Sequence, residues 1–190
     1  MSSAVIVLAS TWLAASAVAP NESLRRTLAR MGQEDQAEIQ QSYQDEHAPN
    51  HARQRQVLLK QILAEFGWPG VSLAGQDGAA GAWTVAQHAD DDVAFQRMCL
   101  AHLERAYQKG DVPGLHLAYL TDRVLVNERK PQVYGTQGAP IYDDAERARV
   151  NARRKRLGLP SMAEMARQRG HFYEQAYRQA AGSPGGRGAK

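Results

Sequence analysis

The chain has 190 residues, 43% of them hydrophobic and 23% charged. That is enough apolar material for one domain with its own core, and it excludes wholesale disorder. A single cysteine excludes an intrachain disulfide framework and a cysteine-rich zinc module. A net charge of +3 is too small an excess to specify nucleic acid by itself.

Residues 1–19 carry no charged side chain and run apolar from Ala4 to Ala19 apart from Ser and Thr. The run falls short of the roughly 20 apolar residues that a spanning helix needs. Ala15-Ser16-Ala17 fits a small-residue cleavage pattern. The segment is read as a signal peptide or apolar leader, with a lipid-embedded anchor and an ordinary buried segment as the alternatives. Localisation follows that choice: periplasmic or secreted if the leader is cleaved, otherwise cytoplasmic. With a cleaved leader, no integral membrane association is expected.

A single helical domain is expected over residues 20–179. Its first helix runs from Glu22 to about Asp45, with Asn21 as N-cap and Leu24, Leu28, Met31 and Ile39 near helical spacing. A second runs from Asn50 to Phe66 on a Val57, Leu58, Ile62, Leu63 stripe, and Gly67 followed by Trp68-Pro69-Gly70 ends it in a turn. A third starts near Asp77 and carries Ala82, Trp83, Val85, Ala86 and Ala89. A fourth spans Val93 to Lys109, with Gly110 as its stop, and a fifth spans Gly114 to about Asn127. Pro131 to Tyr142 reads as irregular, or as a short hairpin. Helix returns from Ala145 to Leu157, where acidic residues lead and arginines follow in the order the helix dipole favours. Ser161 and Glu164 form a capping box for a last helix to about Gln179. The Gly- and Pro-rich residues 180–190 read as a disordered tail. The fold class is mainly α: one orthogonal bundle of about six helices.

The candidate chemistry lies where polar residues interrupt apolar helices. His88 stands in such a place, and on a continuous helix Thr84, His88 and Asp91 share one face while Trp83, Gln87 and Asp90 share the next. A histidine oriented by a carboxylate can act as general acid or base. His88, Asp90 and Asp91 are therefore the catalytic candidates. Asp122 and Arg123 interrupt the fifth helix, and Gln132, Tyr134 and Gln137 crowd one polar loop. With Gln87 they are the substrate-binding candidates. The structural alternative is a hydrogen-bonded core histidine and a buried ion-pair network. His47 and His51 have metal-ligand spacing, but Pro49 interrupts the helix that would align them, and no metal or cofactor is assigned. Cys99, among Phe95, Met98, Leu100 and Leu103, reads as a core thiol. The arginine-rich helix lacks stacking aromatics, so no nucleic-acid partner is expected.

In order along the chain, Asp35-Gln36, Asn50, Gly67-Trp68-Pro69, Gln87-His88-Ala89-Asp90, Phe95-Gln96 and Ala118-Tyr119-Leu120-Thr121-Asp122-Arg123 form a pattern. It continues through Asn127, Gln132-Val133-Tyr134-Gly135-Thr136-Gln137, Pro140-Ile141, Val150-Asn151-Ala152-Arg153-Arg154 and Leu157-Gly158-Leu159-Pro160. This ordered set resembles an uncharacterised bacterial family, domain of unknown function 6624, from about Leu24 to Arg167. The resemblance implies one domain and no assigned reaction. It spans exported and unexported members, so it leaves the leader open. The residues support two readings: a polar cleft around His88 that binds or turns over a small polar or peptide-like ligand, or a noncatalytic scaffold or protein-interaction domain. They do not decide whether the protein is an enzyme, and they leave its oligomeric state open.

Overall fold

The computed structural model describes residues 19–138 and 142–168. Six helices follow in order: α1 Glu22–Ser42, α2 Ala52–Phe66, α3 Val71–Gln87, α4 Val93–Gln108, α5 Gly114–Asn127 and α6 Asp144–Arg156. A further helical segment occupies 162–168. There is no strand among the described residues, and the protein is a mainly α helical bundle. The expected leader up to residue 18, residues 139–141 of the expected irregular or hairpin segment, and the expected end of the last helix and tail beyond residue 168 lie outside the described residues. No helix among the described residues is long and apolar enough to cross a membrane.

Local sequence sets most of the helix ends. The Asn21 side chain accepts the Leu24 N–H at 3.0 Å, Asp92 accepts that of Phe95 at 2.9 Å, and Asp143 accepts that of Glu146 at 2.7 Å. Each satisfies an N–H that the helix leaves unpaired. Ser161 and Glu164 make the reciprocal bonds of a capping box.

The third helix departs from expectation at both ends. It starts at Val71, not near Asp77, with a break at Gly75, whose φ is 64° and ψ 176°. Asp111 creates the extra turn from a distance. Its carboxylate accepts from the Ser72 N–H at 2.7 Å and the Ser72 hydroxyl at 2.8 Å, and its carbonyl accepts from the Val71 N–H. Apolar periodicity within 71–76 carries no trace of that cap. At the other end the helix stops at Gln87, and His88 is its C-cap with φ −96° and ψ 6°. The common face expected for Thr84, His88 and Asp91 therefore does not exist, because the chain has left the helix before Asp91.

The core gathers Leu28 of α1, Leu59 and Leu63 of α2, Phe95, Cys99 and Leu103 of α4, and Leu120 of α5, all buried. Burying one such large side chain contributes about 1.5–3 kcal/mol. Burial pushes the Cys99 thiol up to about 12, as befits a packing residue. Helices α1 and α3 touch backbone to backbone where Gly32 meets Gly81: a Cβ on Gly32 would lie 2.6 Å from the Gly81 Cα. This contact brings the second half of α1 alongside the end of α3.

His116 on α5 stacks on Trp83 with centroids 4.5 Å apart, and its Nδ1 is buried without a partner. Burial pulls this imidazole down to about 4 from 6.5. At neutral pH the ring is uncharged in both folded and unfolded chains. Below about 6.5 the unfolded chain takes up a proton that the folded one refuses, so stability falls as pH drops from 6.5 towards 4. The expected loss is about 1–2 kcal/mol, reduced from the full shift because the ring is only partly buried. Urea unfolding of His116→Phe, which keeps the stack, should show a flatter pH dependence in that window. An unchanged slope contradicts the assignment.

Candidate functional site

A cavity of about 260 Å³ opens between the second half of α1, the 43–51 connection, the start of α2 and His88. A chain of five polar groups runs along it, four of them in its wall and the fifth, His51, behind Glu38. The His88 Nδ1 lies 2.5 Å from Asp35 Oδ2. The Arg55 Nη2 donates to Asp35 Oδ1 at 3.3 Å and to Glu38 Oε2 at 2.7 Å. His51 then donates to Glu38 twice, from its backbone N–H at 3.0 Å and from Nδ1 at 2.6 Å. The Asp35 and Arg55 side chains are only 5% and 6% exposed, while that of His88 is 29% exposed. The order is thus imidazole, carboxylate, guanidinium, carboxylate, imidazole.

The electrostatics follow from these contacts. The Arg55 bond, helped by His51, overcomes the cost of burial and holds the Glu38 carboxyl down at about 2. Burial works against the Arg55 cation, but Glu38 and Asp35 outweigh it and its pKa is raised. Glu38 therefore contributes stability that is complete above about 4.5 and is lost as the pH falls towards 2. Because a carboxylate can only accept, its contact with Asp35 assigns the proton to Nδ1 of His88. The other ring nitrogen, Nε2, then keeps its lone pair, and no described residue bonds to it. Such a nitrogen can take a proton from a bound molecule, and Asp35 would stabilise the resulting imidazolium.

A second network lies beside the cleft and lines none of it. Asp90 takes a two-pronged contact from Arg123, with Nε at 2.7 Å and Nη2 on the other oxygen. Asn127 bridges Asp90 and Gln96 at 2.8 Å each. Gln96 in turn donates to the Ala86 and Gln87 carbonyls at the end of α3. Burial opposes ionisation of Asp90, but Arg123 and Asn127 prevail and hold its carboxyl below the usual range. Arg123 also reaches Gln137 at 3.1 Å, and Gln132 and Gln137 exchange bonds across the loop. Beneath them the fully buried Asp122 accepts from the N–H groups of Val133, Tyr134 and Thr136 and from the Thr136 hydroxyl. Arg154, also fully buried, donates to the Tyr134 and Pro160 carbonyls. Asp91 accepts from Gln56 at 2.9 Å, and the side-chain Oε1 of Gln87 is buried without a partner.

Most of the sequence candidates therefore fall into two places, while Asp91 stands apart on Gln56 and the Gln87 side chain joins neither. His88 alone lines the cavity. Asp90, Arg123, Gln132 and Gln137 meet in the neighbouring network, and Asp122 holds the Tyr134 loop from below. The carboxylate against His88 is Asp35, on α1, and not Asp90 or Asp91; ending α3 at Gln87 turns those two away. Sequence reasoning passed over Asp35, Glu38 and Arg55 as site residues, and considered His51 only for a metal. A usable signal existed. Asp35 continues the Leu28, Met31 stripe at helical spacing, and Arg55 precedes Leu59, Ile62 and Leu63 on theirs, so each is a charge on a buried face. Among the described residues, no group of three or more His, Cys, Asp or Glu side chains is arranged to hold a metal ion.

The geometry defines a class: a mainly α bundle with a small polar cleft between its first two helices and the end of its third. The chain belongs to the family of unknown function DUF6624, whose model matches residues 17–178. The resemblance read from the ordered motifs is thus to the right family. No curated protein and no solved structure matches the chain.

Proposed function

We propose that the cleft at Asp35, Arg55 and His88 binds a small polar ligand and exchanges a proton with it through Nε2 of His88. One observation carries the reading: His88 stands at the wall of a cavity of about 260 Å³, its Nδ1 bonded to a buried carboxylate and its Nε2 unoccupied. Asp35 fixes the tautomer and ring orientation, and Arg55 fixes Asp35. A cavity of this size sits just below the range of about 300–1,000 Å³ usual for drug-sized ligands, which favours a small molecule.

Native mass spectrometry of the full chain tests this. The wild-type protein is expected to carry or take up a small molecule, and His88→Gln to hold at least ten times less of it while remaining folded. Equal retention by the variant contradicts the role of His88.

A second reading, a noncatalytic scaffold, is favoured by the neighbouring network, where the bonds of Asp122, Gln132 and Gln137 go to backbone and to the Arg123 and Thr136 side chains. His88→Ala separates the two. A loss of several kcal/mol with no ligand found supports the scaffold; retained stability with lost ligand supports the cleft.

A further inference from the structure

We infer that the ligand of this cleft is a zwitterion of the α-amino-acid type, with its ammonium group on the carboxylates and its carboxylate on Arg55. The inference rests on the binding reading above and narrows it to one chemical class.

The cavity wall carries three carboxylates, Asp35, Glu38 and Glu46, against the single guanidinium of Arg55. Asp35 and Glu38 still have lone pairs beyond the bonds they accept, and Glu46 is exposed at the rim. An ammonium group finds both acceptors and an excess of negative charge there. The Nε2 of His88, where it carries a lone pair, adds one more acceptor and a place for a proton leaving the amine.

Arg55 makes the opposite demand. It is 6% exposed and lines the cavity, yet only Nη2 is engaged, while Nε and Nη1 have no acceptor. Buried donors of this kind are nearly always satisfied, and a carboxylate is the acceptor that best matches a guanidinium. Both nitrogens are buried as the side chain stands, so a ligand carboxylate reaches their N–H groups by a turn of the guanidinium. A purely cationic ligand would leave these donors unmet, and a purely anionic one would face Asp35, Glu38 and Glu46.

Ile39, Ala48, Pro49 and Ala52 add apolar surface to the wall, beside the small polar groups of Ser42 and Asn50. They suit a short aliphatic side chain, and the volume suits one amino acid.

The test is an NMR titration of the full chain with L-alanine, methylammonium chloride and sodium acetate at constant ionic strength, read on the His88 ring and the Arg55 Nε–H. L-Alanine should shift both signals and bind at least tenfold tighter than either single-charge probe. Glu46→Gln, an exposed substitution, should weaken L-alanine and methylammonium several-fold and leave acetate unweakened. If acetate or methylammonium binds as tightly as L-alanine, the zwitterion is wrong and the cleft reading stands. The same holds if no probe binds but a different molecule is recovered from the purified protein. If no probe binds and nothing is recovered, both fail.

Discussion

Replacing Asp122 by alanine should lower stability by about 3–5 kcal/mol, among the largest effects of any single change outside the apolar core. The carboxylate is fully buried and faces four neutral donors at 2.7–3.0 Å, three of them backbone N–H groups of one loop. Alanine removes the acceptor and leaves those N–H groups without a partner in a place water does not readily reach. Asp122→Asn should recover little, because its amide nitrogen would point a donor at donors. The injury should spread along the loop to Gln137, which reaches back to Arg123 and the Tyr119 carbonyl. Urea unfolding measures the loss, and a change below about 1 kcal/mol contradicts the account.

The second large effect is expected at Gly81. A Cβ there would sit 2.0 Å from the Leu28 carbonyl oxygen and 2.7 Å from its carbon. Both are backbone atoms of α1, so neither can rotate aside. Gly81→Ala must push α1 and α3 apart, at a cost of about 3 kcal/mol or more. For a domain of this size that corresponds to a fall in Tm of about 6–12 °C. The displacement also reaches the cleft, since Asp35 follows Gly32 by one turn of α1 and His88 lies two turns beyond Gly81. Gly110 makes the comparison: a Cβ there meets nothing, so Gly110→Ala carries only the strain of φ +72°, about 1 kcal/mol. A Tm for Gly81→Ala within about 2 °C of wild type refutes the backbone contact.

Where structure depends on neighbours in the chain, the sequence was readable. Helix α5 runs over Gly114–Asn127 as its spacing indicates, and Asn21 and Ser161 cap as their side chains predict. It failed where a distant group decides. Asp111 builds the first turn of α3 from 39 residues away. The cleft is of this second kind. His88 could be singled out as a polar residue at the end of an apolar helix, but its partner lies 53 residues earlier, on another helix. Asp90 and Asp91 next door are the partners that spacing suggests, and they are spent elsewhere, on Arg123 and on Gln56. Charges on apolar stripes, Asp35 and Arg55 above all, were the overlooked sign.

The proposed acid–base role requires the Nε2 of His88 to be the free nitrogen. Its most direct test is a ¹⁵N-edited NMR spectrum of the imidazole rings at a pH where His88 is neutral, in the wild type and in Asp35→Asn. Asp35 accepts from Nδ1, so the wild-type ring should be the Nδ1–H tautomer with a basic Nε2, and the variant should lose that preference. A wild-type His88 found as the Nε2–H tautomer would contradict the proposed acid–base role.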